Sequence, residues 1–276
     1  METKVEIITP ELAAKYLEKN ISNRRIRQAD VDMLARDIKT GNWCITHQGI
    51  AFNDAGNLID GQHRLTAIVQ AGIPVKMMVT RGLSEFSVIG VDRGIKRTVN
   101  DNLAITGEYN KPWFRSNSVC GAVRQIVRIY SSHAKMSDAE VLRFIETHEA
   151  ACEHVYHACG TGAKVNSPVM AGALSAVLCG EAFEGIYQFF EVYTKGNVTA
   201  AGRYNVMPAI NLSKQVLNAK ASHVSINRDR LYNLSSNAVW SFLHKPGVRI
   251  VKETEKNKYD CTKLVSEFLR GEDNVN

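Results

Sequence analysis

The hydrophobic periodicity of the sequence changes once, near residue 110, and this change restricts the fold more than any other feature. Before it, short helical patterns alternate with short strand-like runs and turn residues. Beyond it, nearly every segment carries apolar residues at helical spacing. The stretch 107–112 is rich in turn residues and contains a proline, which starts or stops a helix. The sequence therefore predicts an α/β (α+β) domain over residues 1–110, followed by a mostly α-helical domain over residues 111–276.

Local signals define the elements of the first half. Thr9-Pro10-Glu11 is typical of a helix start, because a hydroxyl cap is followed by proline in the first turn and then by an acid. Two more helices and three strands follow from the spacing of apolar residues and from the glycines between them. These helices cover residues 28–39 and 62–71, and the strands cover residues 49–53, 57–60 and 73–80. A strand-turn-helix therefore lies at the centre of the predicted domain.

The composition excludes several classes of protein. Hydrophobic residues make up 45% and charged residues 22% of the chain, which is ordinary globular usage and argues against disorder. No uninterrupted apolar run approaches the roughly eighteen residues of a membrane helix, and the N-terminal residues lack the layout of a secretion signal. Six scattered cysteines without a Cys-x-x-Cys pair are typical of reduced thiols in a cytoplasm. We expect a cytoplasmic protein with no membrane partner.

Basic residues outnumber acidic ones and are concentrated in a few places. Lys and Arg total 34 against 28 Asp and Glu, a formal charge of +6, which favours a polyanionic partner over an acidic one. One basic stretch contains Arg24, Arg25 and Arg27, and its side chains are candidates for contacts with the phosphates of a nucleotide or of double-stranded DNA. Arg124 and Arg128 share one face of a predicted helix and are candidates for the DNA backbone. Solvated surface is the alternative for each of these arginines.

The centre of the first half combines a strand end, a glycine and a helix start. Gly61 lets the backbone approach a ligand closely, and the helix after it presents unpaired N–H groups toward an anion. His63 and Arg64 lie in the first helical turn, where a planar guanidinium can hold two phosphate oxygens. Asp60 is placed to hold a metal, to orient a base or to cap the helix. The residues alone leave a phosphate site and a plain structural turn as alternatives.

The motif Asp60-Gly61-Gln62-His63-Arg64 resembles the turn of the ParB/sulfiredoxin superfamily. The likeness extends upstream to Leu34-Ala35-Arg36-Asp37-Ile38 and downstream to Arg93-Gly94-Ile95-Lys96-Arg97, which is similar to phage and bacterial ParB-like proteins. It covers roughly residues 8–107 of the chain. The resemblance implies a ParB/sulfiredoxin-like domain that binds a nucleoside triphosphate, either for ATP-driven phosphoryl transfer or, in partition proteins, as a CTP switch.

Two departures from the family pattern restrict this implication. Gln62 stands where sulfiredoxin has its catalytic cysteine, which argues against sulfinic-acid repair. Gln62 and His63 also replace the Glu and Arg of the partition-protein turn, which argues against a CTP clamp. The residues that the resemblance and the basic loop together assign to phosphate binding are Gly61, Gln62, His63, Arg64, Arg93, Lys96 and Arg97.

The expected chemistry is hydrolysis of a nucleoside triphosphate or transfer of its phosphoryl group, with ATP favoured. Phosphoryl transfer needs a phosphate clamp, usually Mg²⁺, and a group that positions the acceptor. We assign Asp60 and His63 as catalytic residues and Asp60 as the candidate Mg²⁺ ligand; the acceptor is a hydroxyl on DNA or on a small metabolite. The alternatives are a nucleotide-switched DNA-binding regulator without turnover and a ParB-like nuclease. A second copy of the chain, forming a homodimer, is a further expected partner.

Four expectations concern polar and small residues elsewhere. Ser137 and Glu140 have the spacing of a capping box. Small residues between positions 171 and 176 predict close helix packing, and residues 247–251 are compatible with a terminal strand. Three acids are weaker candidates than Asp60 for the acidic role and are predicted to be solvated on a helix surface: Asp30, Asp32 and Asp37.

Overall fold

The computed structural model describes residues 1–21, 23–84, 113, 117–131, 134–160, 164–251 and 256–272. The chain divides into two units, one comprising Met1–Lys96 with Ala134–Glu140 and the other comprising Arg97–His133 with Val141–Asn276. The domain boundary predicted between residues 110 and 111 lies outside the described residues and stays a prediction.

Between residues 1 and 84, the described residues of the first unit form a four-stranded mixed sheet and three helices. Its strands are β1 (Glu2–Ile8), β2 (Ile50–Asn53), β3 (Leu58–Asp60) and β4 (Val75–Leu83), and its helices are α1 (Pro10–Leu17), α2 (Gln28–Lys39) and α3 (Gln62–Ala71). The strand order is β1-β4-β2-β3, in which β4 is antiparallel to β1 and parallel to β2, and β2 is antiparallel to β3. This arrangement confirms the mixed α/β class predicted for the first half and adds β1, which the sequence did not predict.

Apolar residues from the sheet and the helices form one core in the first unit. Val75, Met77 and Val79 alternate with more exposed residues along β4, so one face of this strand lies in the core. The hydroxyl of Thr9 accepts a hydrogen bond from the N–H of Leu12 at 3.2 Å, which confirms the predicted cap of α1. Burying an apolar side chain of the size of those on β4 contributes roughly 1.5–3 kcal/mol. Other members of the core are Ile8, Val31, Ile38, Ile50, Phe52, Leu65 and Ile68.

Gly49 precedes β2 at a point where the chain passes against the backbone of β4. A Cβ atom at this position would lie 1.8 Å from the carbonyl oxygen of Met78, which is far inside van der Waals contact. Glycine is therefore required here by the parallel pairing of β2 with β4, in which Ile50 lies opposite Val79.

Residues 134–140 belong to the first unit and contact α2. The predicted capping box is confirmed, because the N–H of Glu140 donates to Ser137 Oγ at 3.1 Å and the N–H of Ser137 donates to Glu140 Oε2 at 2.8 Å. The buried carboxylate of Glu140 also pairs with Nε of Arg36 at 2.8 Å. Asp37 accepts a hydrogen bond from Ser137 Oγ at 2.7 Å and is 9% exposed. The prediction of a solvated acid is therefore wrong for Asp37, because a segment about a hundred residues away in the chain covers it.

The described residues of the second unit form helices joined by turns. The remaining helices among the described residues are α4 (Asn117–Tyr130), α5 (Asp138–Thr147), α6 (Glu149–Cys159), α7 (Ser167–Leu178), α8 (Phe183–Lys195), α9 (Met207–Ala221), α10 (Arg228–His244) and α11 (Thr262–Arg270), with a 3₁₀ turn at Val198–Ala201. A Cβ atom at Gly172 would lie 2.6 Å from the backbone nitrogen of Ser236, which confirms the close packing predicted from small residues, here between α7 and α10.

Residues 247–251 form a turn and irregular backbone, so the strand predicted there is wrong. A strand needs a partner with which to form hydrogen bonds, and among the described residues all sheet pairing lies in the first unit. No helix in the described ranges combines the length and the apolar character that crossing a membrane demands.

Candidate functional site

The predicted phosphate-binding turn joins β3 to α3. β3 ends at Asp60, and Gly61 has a φ of 102°, in the left-handed region that favours glycine. A Cβ atom at Gly61 would also lie 3.1 Å from the Cα of Ile50, so the turn passes close to β2. Asp60 Oδ1 accepts a hydrogen bond from the N–H of Gly61 at 2.7 Å. The next three N–H groups, in the first turn of α3, have no acceptor within the helix and make this end positive.

The guanidinium of Arg64 fastens α3 to the start of β2. Its Nη1 donates to the carbonyl oxygen of Gly49 at 3.0 Å, and its Nη2 lies 3.4 Å from Oε1 of Gln48. Nη1 also lies 3.6 Å from Oδ2 of Asp60. Arg64 therefore has three partners within the chain, and a phosphate group would share this guanidinium with them.

The side chain of Gln62 links α3 to the segment that follows α1. Its Oε1 accepts a hydrogen bond from Nδ2 of Asn20 at 3.0 Å, and its Nε2 donates to the carbonyl oxygen of Arg24 at 2.6 Å. Gln62 is 5% exposed. The amide group is therefore satisfied inside the protein, and the group of Gln62 that is placed to meet a phosphate is its backbone N–H.

His63 accepts a hydrogen bond through Nε2 from the backbone N–H of Arg27 at 3.0 Å. Partial burial lowers the pKa of His63 below its ordinary value of 6.5, and the positive charges of Arg24, Arg27 and Arg64 lower it further, whereas Asp30 raises it. At neutral pH the imidazole is therefore uncharged, with Nε2 as acceptor and the proton on Nδ1.

The segment of residues 24–27, here called the arginine segment, lies against the start of α3. Gln62 holds the carbonyl group of Arg24, and His63 holds the N–H of Arg27, so both ends of the segment are attached to α3. All four residues of the segment are exposed, and together with Gln28 they line an open cavity of about 570 Å³. The structure thus brings together two features that the sequence left separate, the basic stretch and the turn at Gly61.

The acidic residues near this site differ in their surroundings. Asp30 pairs with Nζ of Lys135 at 2.6 Å, which lowers its pKa against the effect of burial. Asp32 accepts hydrogen bonds from Gln28 at 2.8 Å and from Gln70 at 2.9 Å, and these bonds lower its pKa. Both carboxylates are therefore paired with neighbouring side chains rather than directed at a ligand.

The donor set does not fit a resident Mg²⁺ ion. The carboxylate of Asp60 is engaged by the N–H of Gly61 and by Arg64. Among the residues that the structure describes, no three potential ligands of the His, Cys, Asp and Glu types form a group. Since Mg²⁺ is commonly held by one or two carboxylates together with substrate phosphates, any such ion would have to arrive with a nucleotide.

The sequence also predicts five other site residues. Arg93, Lys96 and Arg97 fall outside the described residues. Arg124 and Arg128 are on α4 in the second unit, where Arg128 forms an ion pair with Asp229. The roles predicted for these five residues stay predictions.

A second cavity in the first unit was not predicted from the sequence. It has a volume of about 220 Å³ and is lined by Tyr16, Lys19, Phe52, Asn53, Asp54, Gly56, Arg81 and Gly82. Arg81 lies over the rings of Tyr16 and Phe52, and it is bonded to Glu6. Because the lining residues come from α1, β2, β4 and the loops after α1 and β2, no local sequence signal indicates the cavity. Its volume is below the roughly 300 Å³ at which ligand pockets begin.

Comparison with known proteins returned no match: no family model, no curated protein and no solved structure matches this chain.

Proposed function

We propose that the first unit binds the phosphate groups of a nucleoside triphosphate, with ATP favoured, and that the chain hydrolyses the nucleotide or transfers its γ-phosphoryl group. The observation that carries this proposal is the attachment of the arginine segment to the start of α3. Three guanidinium groups and the N–H groups of a helix start are the donors that phosphate oxygens prefer. The resemblance of residues 60–64 to the ParB/sulfiredoxin turn supports the same ligand.

The volume and the charge of the site suit a nucleotide. The open cavity of about 570 Å³ has room for a small molecule, and its lining is residues 24–28 without any of residues 60–64. Burial lowers the pKa of His63 most, and the charges of the neighbouring arginines lower it further, which indicates a locally positive potential. The neutral imidazole of His63 carries its proton on Nδ1, which it can donate to a phosphate oxygen while Nε2 keeps the hydrogen bond from the N–H of Arg27.

Catalysis in such a site consists mainly of positioning and electrostatic stabilisation. The arginines neutralise charge on the transferred group, and His63 donates a hydrogen bond to it. Asp60, which is partly exposed and held by Gly61 and Arg64, orients the attacking hydroxyl or water. We route no step through a metal ion, because the described residues do not fit one.

Release or transfer of the γ-phosphoryl group from labelled ATP tests this proposal. The informative variant is Arg25→Ala combined with Arg27→Ala, which removes two guanidinium groups and keeps the backbone bond from residue 27 to His63. We expect turnover by the wild type and a loss of at least about tenfold in the double variant. Arg203→Ala, at an exposed position in the second unit, is the matched control and should keep full activity. The absence of turnover with any nucleotide, in the presence or absence of Mg²⁺, would refute the enzymatic part.

The exposure of the arginine segment favours a second candidate function, a nucleotide-switched DNA-binding regulator without turnover. An open basic surface can follow a DNA backbone as well as it holds a nucleotide. In that case duplex binding falls steeply as the salt concentration rises and changes when ATP occupies the same arginines. Duplex affinity that is insensitive to salt and to the double variant would argue against this candidate.

A further inference from the structure

Two cysteines of the second unit lie side by side. Cys179 follows the end of α7 and Cys261 precedes the start of α11, and their Sγ atoms are 3.8 Å apart. Cys179 is exposed, whereas Cys261 is 2% exposed. The pair therefore combines a thiol that a dissolved oxidant can reach with a second thiol directly beneath it.

The hydrogen bond between the two thiols gives them different roles. It lowers the pKa of Cys179 against the opposing effect of burial. The same bond and burial raise the pKa of Cys261. Either thiol can donate this bond. The opposite directions of the two pKa shifts make Cys179 the sulfur with more thiolate character and hence the better nucleophile.

We propose that Cys179 and Cys261 form an oxidant-sensitive modification site that closes a disulfide bond when the protein meets a hydroperoxide. This inference is independent of the proposed nucleotide site. A disulfide places its sulfur atoms about 2.05 Å apart, so the sulfurs approach by about 1.8 Å from their present separation of 3.8 Å. The closed bond would join the end of α7 to the start of α11, 82 positions apart in the chain.

The chemistry proceeds in two balanced steps. The thiolate of Cys179 attacks one oxygen of hydrogen peroxide, the O–O bond breaks, and the other oxygen leaves as hydroxide and becomes water; Cys179 is now a sulfenic acid. The sulfur of Cys261 then attacks Sγ of Cys179, the S–O bond breaks, and the oxygen leaves as water with the proton of Cys261. The two thiols are oxidised by two electrons, and the peroxide is reduced to two water molecules. A bond of this kind in a reducing compartment is transient and reports on oxidants.

Peptide mapping of the oxidised native protein tests the proposal. The reduced full-length chain is treated with hydrogen peroxide, denatured in an alkylating reagent, digested without reductant and analysed by mass spectrometry. We expect a cross-linked peptide containing Cys179 and Cys261, about 2 Da lighter than the two thiol peptides together. Cys44→Ser removes an exposed thiol outside the pair and should leave this product unchanged.

Two further thiols provide an internal control. Cys120 and Cys152 are both buried. Burial raises the pKa of Cys152 to about 12, and the nearby Cys120 contributes in the same direction. Both should stay reduced during the peroxide treatment and be recovered as alkylated thiols. In Cys261→Ser we expect Cys179 to accumulate as a sulfenic acid that a cyclic diketone traps. In the wild type no such trapped product of Cys179 should accumulate.

Two results would overturn the proposal. One is a Cys179 that is recovered as a free thiol while Cys44 is oxidised. The other is a Cys179 that is oxidised in the wild type without the link to Cys261, including a link only to a second chain. The wild-type map decides between these outcomes even if the substitution at the buried position prevents folding.

Discussion

Replacing Gln62 by leucine tests the link between α3 and the arginine segment. Leucine keeps about the volume of glutamine but removes the amide, so Nδ2 of Asn20 loses its acceptor and the carbonyl group of Arg24 loses its donor. Each lost hydrogen bond costs roughly 0.5–1.5 kcal/mol, and water cannot easily replace them because Gln62 is 5% exposed. We expect Gln62→Leu to lower the free energy required for local unfolding of α3 by about 1–3 kcal/mol.

Hydrogen exchange of the full-length chain, resolved by mass spectrometry to peptides covering residues 58–72, measures this opening within the first unit. The expected loss speeds exchange roughly 5- to 150-fold. Gln70→Leu is the matched control on the same helix, because Gln70 also bonds two side chains, Gln28 and Asp32, but is exposed to water. We expect its effect to stay within about 0.5 kcal/mol. Equal effects of the two substitutions would refute the reasoning that burial makes Gln62 the link.

Three further predictions concern the first unit. Gly49→Ala places a Cβ against a backbone carbonyl of β4 and should destabilise the protein by at least about 3 kcal/mol in urea unfolding. Gly247→Ala is the control and should change the stability little, because the space around Gly247 is open. Equal stability of both variants would contradict this prediction. Glu140→Ala leaves the guanidinium of Arg36 without its carboxylate and removes the capping box. We expect the free energy of unfolding to fall by about 3 kcal/mol in the same measurement. A fall below about 1 kcal/mol would count against this prediction. Because the pKa of His63 is lowered from 6.5, the unfolded chain takes up this proton at higher pH than the folded chain; the contribution of His63 to stability is therefore complete above pH 6.5 and is lost as the pH falls toward the folded-state pKa. His63→Gln should flatten that dependence in urea unfolding at pH values on either side of 6.5, and an unchanged slope would show that other groups cause it.

Most elements of the first unit could be predicted from the sequence because their signals are local. The cap at Thr9 and the glycine at the turn before α3 each act within one turn of the chain. β1 has no such signal, since it is an edge strand and Ile8 is its one buried residue. A strand with one buried residue lacks the apolar alternation from which strands are recognised.

The candidate site could be predicted only in part. The motif at residues 60–64 indicates a turn of this shape, but its side chains alone do not reveal what they contact. Gln62 and His63 bind the backbone of a segment almost forty positions away, and this pairing depends on the tertiary fold. The burial of Asp37 was missed for the same reason, because Ser137 reaches it from about a hundred positions away.

Titration calorimetry of ATP into the full-length chain, at about 50 and 200 mM salt, tests the nucleotide site most directly. The account predicts binding by the wild type that weakens as the salt concentration rises, at least about tenfold weaker binding by the variant that combines Arg25→Ala with Arg27→Ala, and unchanged binding by Arg203→Ala. A wild type that binds no ATP, or a double variant that binds it as tightly as the wild type, would contradict the assignment of the arginine segment and the start of α3 as a phosphate site.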